Sequence, residues 1–169
     1  MNRSKDLDIV DDNLLLIFIG YNPSPVSEEM GHHYANKSNR FWKLLYQSGI
    51  TERLYQPEED SSLLSLGFGF TNIVARPTPA AADITKEEYT VGRKILREKL
   101  DKYKPKVAFF VGKGVYLQYS GKKSAQWGKQ PESVIKGVID FVGPSSSGLV
   151  RMKIADIVEI YRDVGQYIK

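Results

Sequence analysis

Leu14 to Ile19 is an unbroken apolar run that stops at Gly20-Tyr21-Asn22-Pro23-Ser24. A run this short with no polar interruption predicts a strand covered on both faces, as in a parallel sheet flanked by helices. Val107–Gly112 repeats the pattern. Further strands are expected at Gly67–Val74 and within Val134–Val142, with the first running Leu14–Gly20. Helical spacing alternates with them. Asn39–Ser48 places Phe41, Leu44, Leu45 and Ser48 on one side and stops at Gly49. A short helix is expected at Ser61–Leu66. Thr85-Lys86-Glu87-Glu88 is a capping box opening a long helix that buries Tyr89, Leu96, Leu100 and Tyr103. Gly112–Tyr119 reads as a short helix. Val150–Tyr167 reads as the last one, with Ile154, Ile157, Val158, Tyr161 and Val164 at helical spacing. The alternation predicts an α/β fold, a three-layer α/β/α sandwich around a short, mostly parallel sheet. Residues 1–13 are polar and acidic and are expected to fray; residues 14–169 form a single domain.

Bulk properties bound the function. With 169 residues, 41% hydrophobic and 26% charged, the chain has the composition of a soluble globular protein with room for one core. No apolar stretch follows a basic start, and none approaches a membrane span. The absence of cysteine removes disulfides, thiolate zinc sites and cysteine-held clusters, and fits an intracellular location in cytoplasm or nucleoid. Two histidines, adjacent at His32 and His33, argue against a metal centre. The net charge of +4 is unevenly spread: residues 86–136 hold 13 Lys and Arg against 5 Asp and Glu, whereas residues 1–85 hold 7 against 11. That asymmetry suits a polyanionic partner, and equally a solvated Lys-rich helix face. Nothing in the chain signals an obligate oligomer, so a monomer is expected.

The chemistry is expected where strands end, because open α/β sheets bind ligands at the carboxyl ends of their strands. Asn22, held extended by the proline after it, carries one acceptor and two donors. It can orient a water or grip an amide, or it can cap its own turn. Tyr34, after Gly31-His32-His33, can wall a flat pocket for a planar ligand or lie on a surface loop. Pro144–Arg151 places three serines before Gly148 and Leu149. Hydroxyls and free amides there suit phosphates, with Leu149 as an exposed wedge. The same residues equally suit a serine-rich helix cap with Leu149 packed inward. Gln126–Gln130 reads as a polar loop with one Trp, which suits a nucleic-acid contact and equally a packed surface loop.

Together these segments resemble the mismatch-specific uracil/thymine DNA glycosylases of the uracil-DNA glycosylase superfamily. The resemblance runs from about Leu14 to the C-terminal helix. Its carriers are Gly20-Tyr21-Asn22-Pro23, Gly31-His32-His33-Tyr34, Asn39-Arg40-Phe41-Trp42-Lys43, Gly69-Phe70-Thr71-Asn72, Arg76-Pro77-Thr78, Ala125–Gln130 and Pro144-Ser145-Ser146-Ser147, in order along the chain. The resemblance implies that Asn22 positions the attacking water, that Tyr34 stacks on the flipped base, and that Asn72 lies in the base pocket. Gly20, Tyr21, Ser27 and His33 join the base pocket, Ser27 near the 5-carbon. Ser145, Ser146 and Ser147 pinch phosphates, Gly148 contacts the orphaned guanine, Leu149 fills the vacated stack, and Arg151 is the basic residue after the wedge.

Three serines and His32-His33-Tyr34 resemble the thymine-active branch, while Leu149 and Ser27 resemble the bacterial uracil branch. Ser24 and Pro25 depart from the glycine usual after Asn-Pro. The activity that the resemblance implies is that of a monofunctional glycosylase. It would act on double-stranded DNA with a mismatched or damaged pyrimidine and need no cofactor or metal. The target base must leave the stack for its glycosidic bond to be reached. The alternative is a catalytically weak module that binds lesions or abasic sites. A nucleotide or phosphate-ester hydrolase has no glycine-rich phosphate loop or carboxylate cluster to support it.

Overall fold

Side chains along each central strand alternate between two separate cores. In the computed structural model, which describes residues 7–169, β1 spans Leu16–Gly20. Leu16 and Phe18 face one core, while Ile17 and Ile19 face the other. β3 (Val107–Val111) repeats this, with Val107, Phe109 and Val111 on the first side and Ala108 and Phe110 on the second. All these residues are nearly or fully inaccessible to water, which accounts for the unbroken apolar runs. β2 (Phe68–Asn72) and β5 (Ile139–Gly143) flank them, and the sheet order is β2-β1-β3-β5-β4. Every pairing is parallel except that of the two-residue β4 (Gly128–Lys129), which runs antiparallel to β5.

The first core packs beneath α2 (Phe41–Gln47) and α5 (Ile154–Asp163) and is rich in aromatic rings. Phe18 lies at its centre, edge-on to Phe41 at 5.1 Å and stacked on Phe70 at 5.5 Å. The second core packs beneath α3 (Lys86–Tyr103) and α4 (Lys113–Ser120). Thr85 caps α3 and Glu88 completes the expected capping box. The three-layer α/β/α sandwich is therefore the observed architecture. Among the described residues no helix is long and apolar enough to cross a membrane.

Local expectations needed correction in several places. The sequence reads 22–38 as one long loop, but α1 (Pro25–Met30) lies inside it. Ser24 caps that helix by accepting from the Ser27 N–H, Pro25 sits in its first turn, and Gly31 ends it at φ 76°. Ser24 and Pro25 are thus a helix start. The short helix expected at Ser61–Leu66 is a 3₁₀ segment, Pro57–Leu66. Tyr103, expected in the buried face of α3, is half-buried. The last helix begins at Ile154 and closes in a 3₁₀ turn at Val164–Tyr167, so residues 150–153 belong to the preceding loop. Of the segment expected to fray, residues 1–6 lie outside the described residues. Residues 7–13 are tied down: Ile9 exchanges both backbone hydrogen bonds with Phe70, and Asp8 pairs with Lys99 and accepts from Thr71.

Candidate functional site

β1 and β5 both deliver their chain to the same edge of the sheet, and a cleft of about 340 Å³ opens between the two turns beyond them. Gly20, Tyr21 and Asn22 come from the first turn, Ser27 from α1, His33 and Tyr34 from the segment after it, and Asn72 from the end of β2. Ser145, Ser146, Ser147, Gly148 and Leu149 close it from the other side. Arg151 does not line it; it is exposed on the loop beyond. Apart from His33, no lining residue bears a side chain that titrates as an acid or base near neutrality.

Asn22 is the best-defined group. Its Nδ2 donates to the Arg76 carbonyl and to Thr78 Oγ1, both at 2.8 Å. Thr78 Oγ1 spends its own proton on the Ala80 carbonyl at 2.7 Å, so it can only accept from Asn22. Two obligate acceptors therefore fix the amide's orientation and leave Oδ1 as its unspent acceptor. The loop that carries these acceptors is itself clamped. Arg76 forms a two-point ion pair with Glu88 in the first turn of α3, and that hydrogen bond draws the Glu88 carboxyl down to about 2. The Thr78 N–H reaches back to the Pro23 carbonyl.

The wall formed by Gly20, Tyr34 and Asn72 is tightly fitted. A Cβ on Gly20 would stand 2.7 Å from Asn72 Oδ1 and 3.0 Å from the Tyr34 hydroxyl, so only glycine leaves these two polar groups in place. Among the described residues no hydrogen bond ties the Asn72 side chain, which leaves its donor and acceptor for a ligand. Tyr34 holds a positive φ of 52°, and its ring stacks on Phe41 at 3.9 Å. One face is thus covered, which leaves only the other for a planar ligand. Its hydroxyl is buried without a partner, and burial pushes the phenol well above its usual range. It remains a donor at any working pH.

Other expected residues support the wall. His33 is 3% exposed, stacked on Phe70 at 5.1 Å, with Nε2 donating to the Leu7 carbonyl. Burial lowers its pKa, so it is neutral at pH 7. Buried Asp60 accepts from the His33 N–H and meets His32 Nδ1, fixing the turn before Tyr34. Ser27 lines the cleft while its Oγ accepts from the Ala35 N–H. The Tyr21 ring packs edge-on to Tyr89.

On the opposite rim, Leu149 is 91% exposed, so it is not packed inward. Ser145 Oγ accepts from the Ser147 N–H and Ser147 Oγ from the Leu149 N–H. Both hydroxyl protons stay available to a phosphate. Ser146 departs from the expected exposed hydroxyl: it is 1% exposed, and its carbonyl accepts from the Arg40 N–H. In the Trp loop, buried Gln130 donates to the Gln126 and Gly128 carbonyls and half-buried Trp127 packs against the second core.

Sequence reasoning gave no role to Thr78, Arg76, Arg40, Asp60 or Leu7. The first three lie in segments that carry the family resemblance, but only their contacts reveal the work they do. Among the described residues no three His, Cys, Asp or Glu side chains converge to hold a metal.

Two comparisons bear on this arrangement. The sequence profile of the uracil DNA glycosylase superfamily matches residues 7–165. A solution NMR structure from Methanosarcina acetivorans, described provisionally as a uracil DNA glycosylase, superposes with a TM-score of 0.55. It covers 94% of this chain and 95% of its own at 17% identity, a likeness of fold alone.

Proposed function

The chain belongs to the uracil DNA glycosylase superfamily, and on that premise we propose that it hydrolyses the N-glycosidic bond of uracil flipped from a uracil·guanine mispair in double-stranded DNA. The product is an abasic site. Family membership supports the DNA glycosylase activity; preference for the mispair is the finer reading. The observation that carries it is the Asn22 clamp: an amide whose two donors are locked and whose acceptor is spare, in a cleft with an exposed leucine on its far rim.

The residues divide the work. Asn22 Oδ1 accepts a hydrogen bond from a water and holds it toward the sugar carbon. An amide is a poor base, so its share is positioning rather than proton abstraction. As the bond breaks, negative charge grows on the departing pyrimidine. The Asn72 amide and the backbone of Gly20 and Tyr21 are the candidate dipoles to meet it. The free face of Tyr34 stacks on the base, and Ser27 stands near its 5-position. Leu149 fills the gap in the duplex and Gly148 meets the widowed guanine, while Ser145, Ser147 and Arg151 contact phosphates. Unstacking is cheaper at a mispair, which supplies part of the selectivity. Among the described residues no lysine lines the cleft, and hydrolysis without strand cleavage is the matching chemistry.

The test is single-turnover base release from duplexes carrying U·G, T·G, U·A and C·G, in EDTA, with alkaline cleavage revealing abasic sites. Release from U·G faster than from U·A is the expected result. Equal release from both would remove the mispair preference. No release from any duplex, with tight binding to an abasic site, would replace catalysis by lesion binding.

A further inference from the structure

Leu149 stands almost fully in solvent, yet the backbone on both sides of it is gripped from below by one side chain. Arg40 precedes α2 and is half-buried. Its main-chain N–H donates to the Ser146 carbonyl at 2.9 Å. Its Nη2 donates to the Ser147 carbonyl at 3.0 Å and to the Val150 carbonyl at 3.3 Å. Those two carbonyls bracket Gly148 and Leu149. Ser38 closes the same seam, for a Cβ on Gly148 would stand 2.7 Å from the Ser38 carbonyl oxygen. The guanidinium holds no carboxylate in any ion pair among the described residues. Its Nε is buried with no hydrogen-bond partner. Stability alone is a poor account of a half-buried cation that holds no counter-charge among the described residues. A task in shaping the loop accounts for it better.

We infer that Arg40 is the positioning residue of the Leu149 loop. By gripping the carbonyls of Ser147 and Val150 it sets the loop tip before DNA arrives, so that Leu149 enters the base stack from an already ordered backbone. Pre-ordering a binding loop removes an entropic cost from the binding step. The inference rests on the glycosylase reading above. It predicts that Arg40 matters most where flipping is hardest, at a well-paired target.

The test uses Arg40→Gln, Leu149→Ala and the double variant, with two readouts. The first is single-turnover uracil release from U·A duplex, U·G duplex and single-stranded DNA. The second is hydrogen–deuterium exchange of the free protein. In Arg40→Gln, release from U·A is expected to fall about tenfold further than release from U·G, the scale of lost charge-assisted hydrogen bonds. The double variant should lose no more than Leu149→Ala alone, because both changes act through one wedge. Amides of residues 147–150 should exchange faster while the central strands keep their protection.

Equal fractional loss on all three substrates would make Arg40 a merely structural residue and overturn the inference. So would losses that multiply in the double variant, or unchanged exchange at 147–150. If the unaltered protein released no uracil from any substrate, the glycosylase reading would fail, and the exchange measurement would decide by itself whether Arg40 orders the loop.

Discussion

Two turns leave the same edge of the sheet and are built in opposite ways. The turn after β1 locks its polar side chain: both donors of Asn22 are committed, to acceptors that are committed in turn. The loop after β5 lifts an apolar side chain into solvent and fixes only the backbone beneath it. Positioning chemistry needs an atom that does not move, whereas parting a base stack needs a side chain with nothing to leave behind. The difference reaches into the strands. β1 is apolar from Leu16 to Ile19, but β5 buries Asp140. Asp140 accepts from the Val134 N–H and the Tyr116 hydroxyl, while its Oδ1 is buried without a partner. Burial, which outweighs those hydrogen bonds and nearby Lys122, lifts its pKa to about 6.

Changes that erase this contrast should have graded effects. Asn22→Ala should lower single-turnover uracil release about 10³-fold, on the scale of losing one preorganised catalytic dipole, and leave DNA affinity near that of the unaltered protein. Release within tenfold of the unaltered protein would remove Asn22 from the water site.

Asp140→Asn tests the buried acid in β5, the strand that leads to the second loop. A carboxyl whose folded pKa lies above its unfolded value binds a proton more readily when folded, so its stability is full below the unfolded pKa of 3.8 and lost as pH rises through about 6. The variant lacks that loss. Its stability advantage should open between pH 4 and 6 and level off at on the order of 2–3 kcal/mol. A difference in Tm that stays constant across that range would mean that Asp140 is not a shifted acid.

Thr78→Val keeps the shape of Thr78 but removes the acceptor that orients Asn22. Release should slow by about tenfold, the scale of one lost hydrogen bond at a positioned group, with little change in DNA affinity. An unchanged rate would show that Arg76 alone orients the amide. Leu149→Ala should be the mildest change to the fold. With 91% of the side chain exposed, thermal stability should stay within about 0.5 kcal/mol. Release from U·A should fall more than release from U·G, and equal losses on both would argue against a wedge.

Much of the fold was legible because its signals are local. Burial on both faces of β1 and β3 demands apolar runs, and the Thr85 box needs only four residues. Other features left no such trace. The helix at Pro25–Met30 is six residues long and buries only Ser27, so it carries no apolar periodicity. β4 is a two-residue edge strand, too short for an alternating pattern. The N-terminal segment looked polar enough to fray, but Ile9 pairs with Phe70 and Asp8 with Lys99, partners distant in the chain.

The sequence by itself determined the alternation of strands and helices, the two turns at their ends, and the residue types waiting there. Those depend on backbone preference and periodic burial, which act over a few neighbours. Tertiary structure alone decided what each group is free to do. Asn22 meets acceptors more than 50 residues away, Arg40 meets carbonyls more than 100 residues away, and Leu149 stays in solvent because no described residue folds over it. A hydrogen bond depends on distance and direction in space, and residue spacing along the chain does not encode either across such separations.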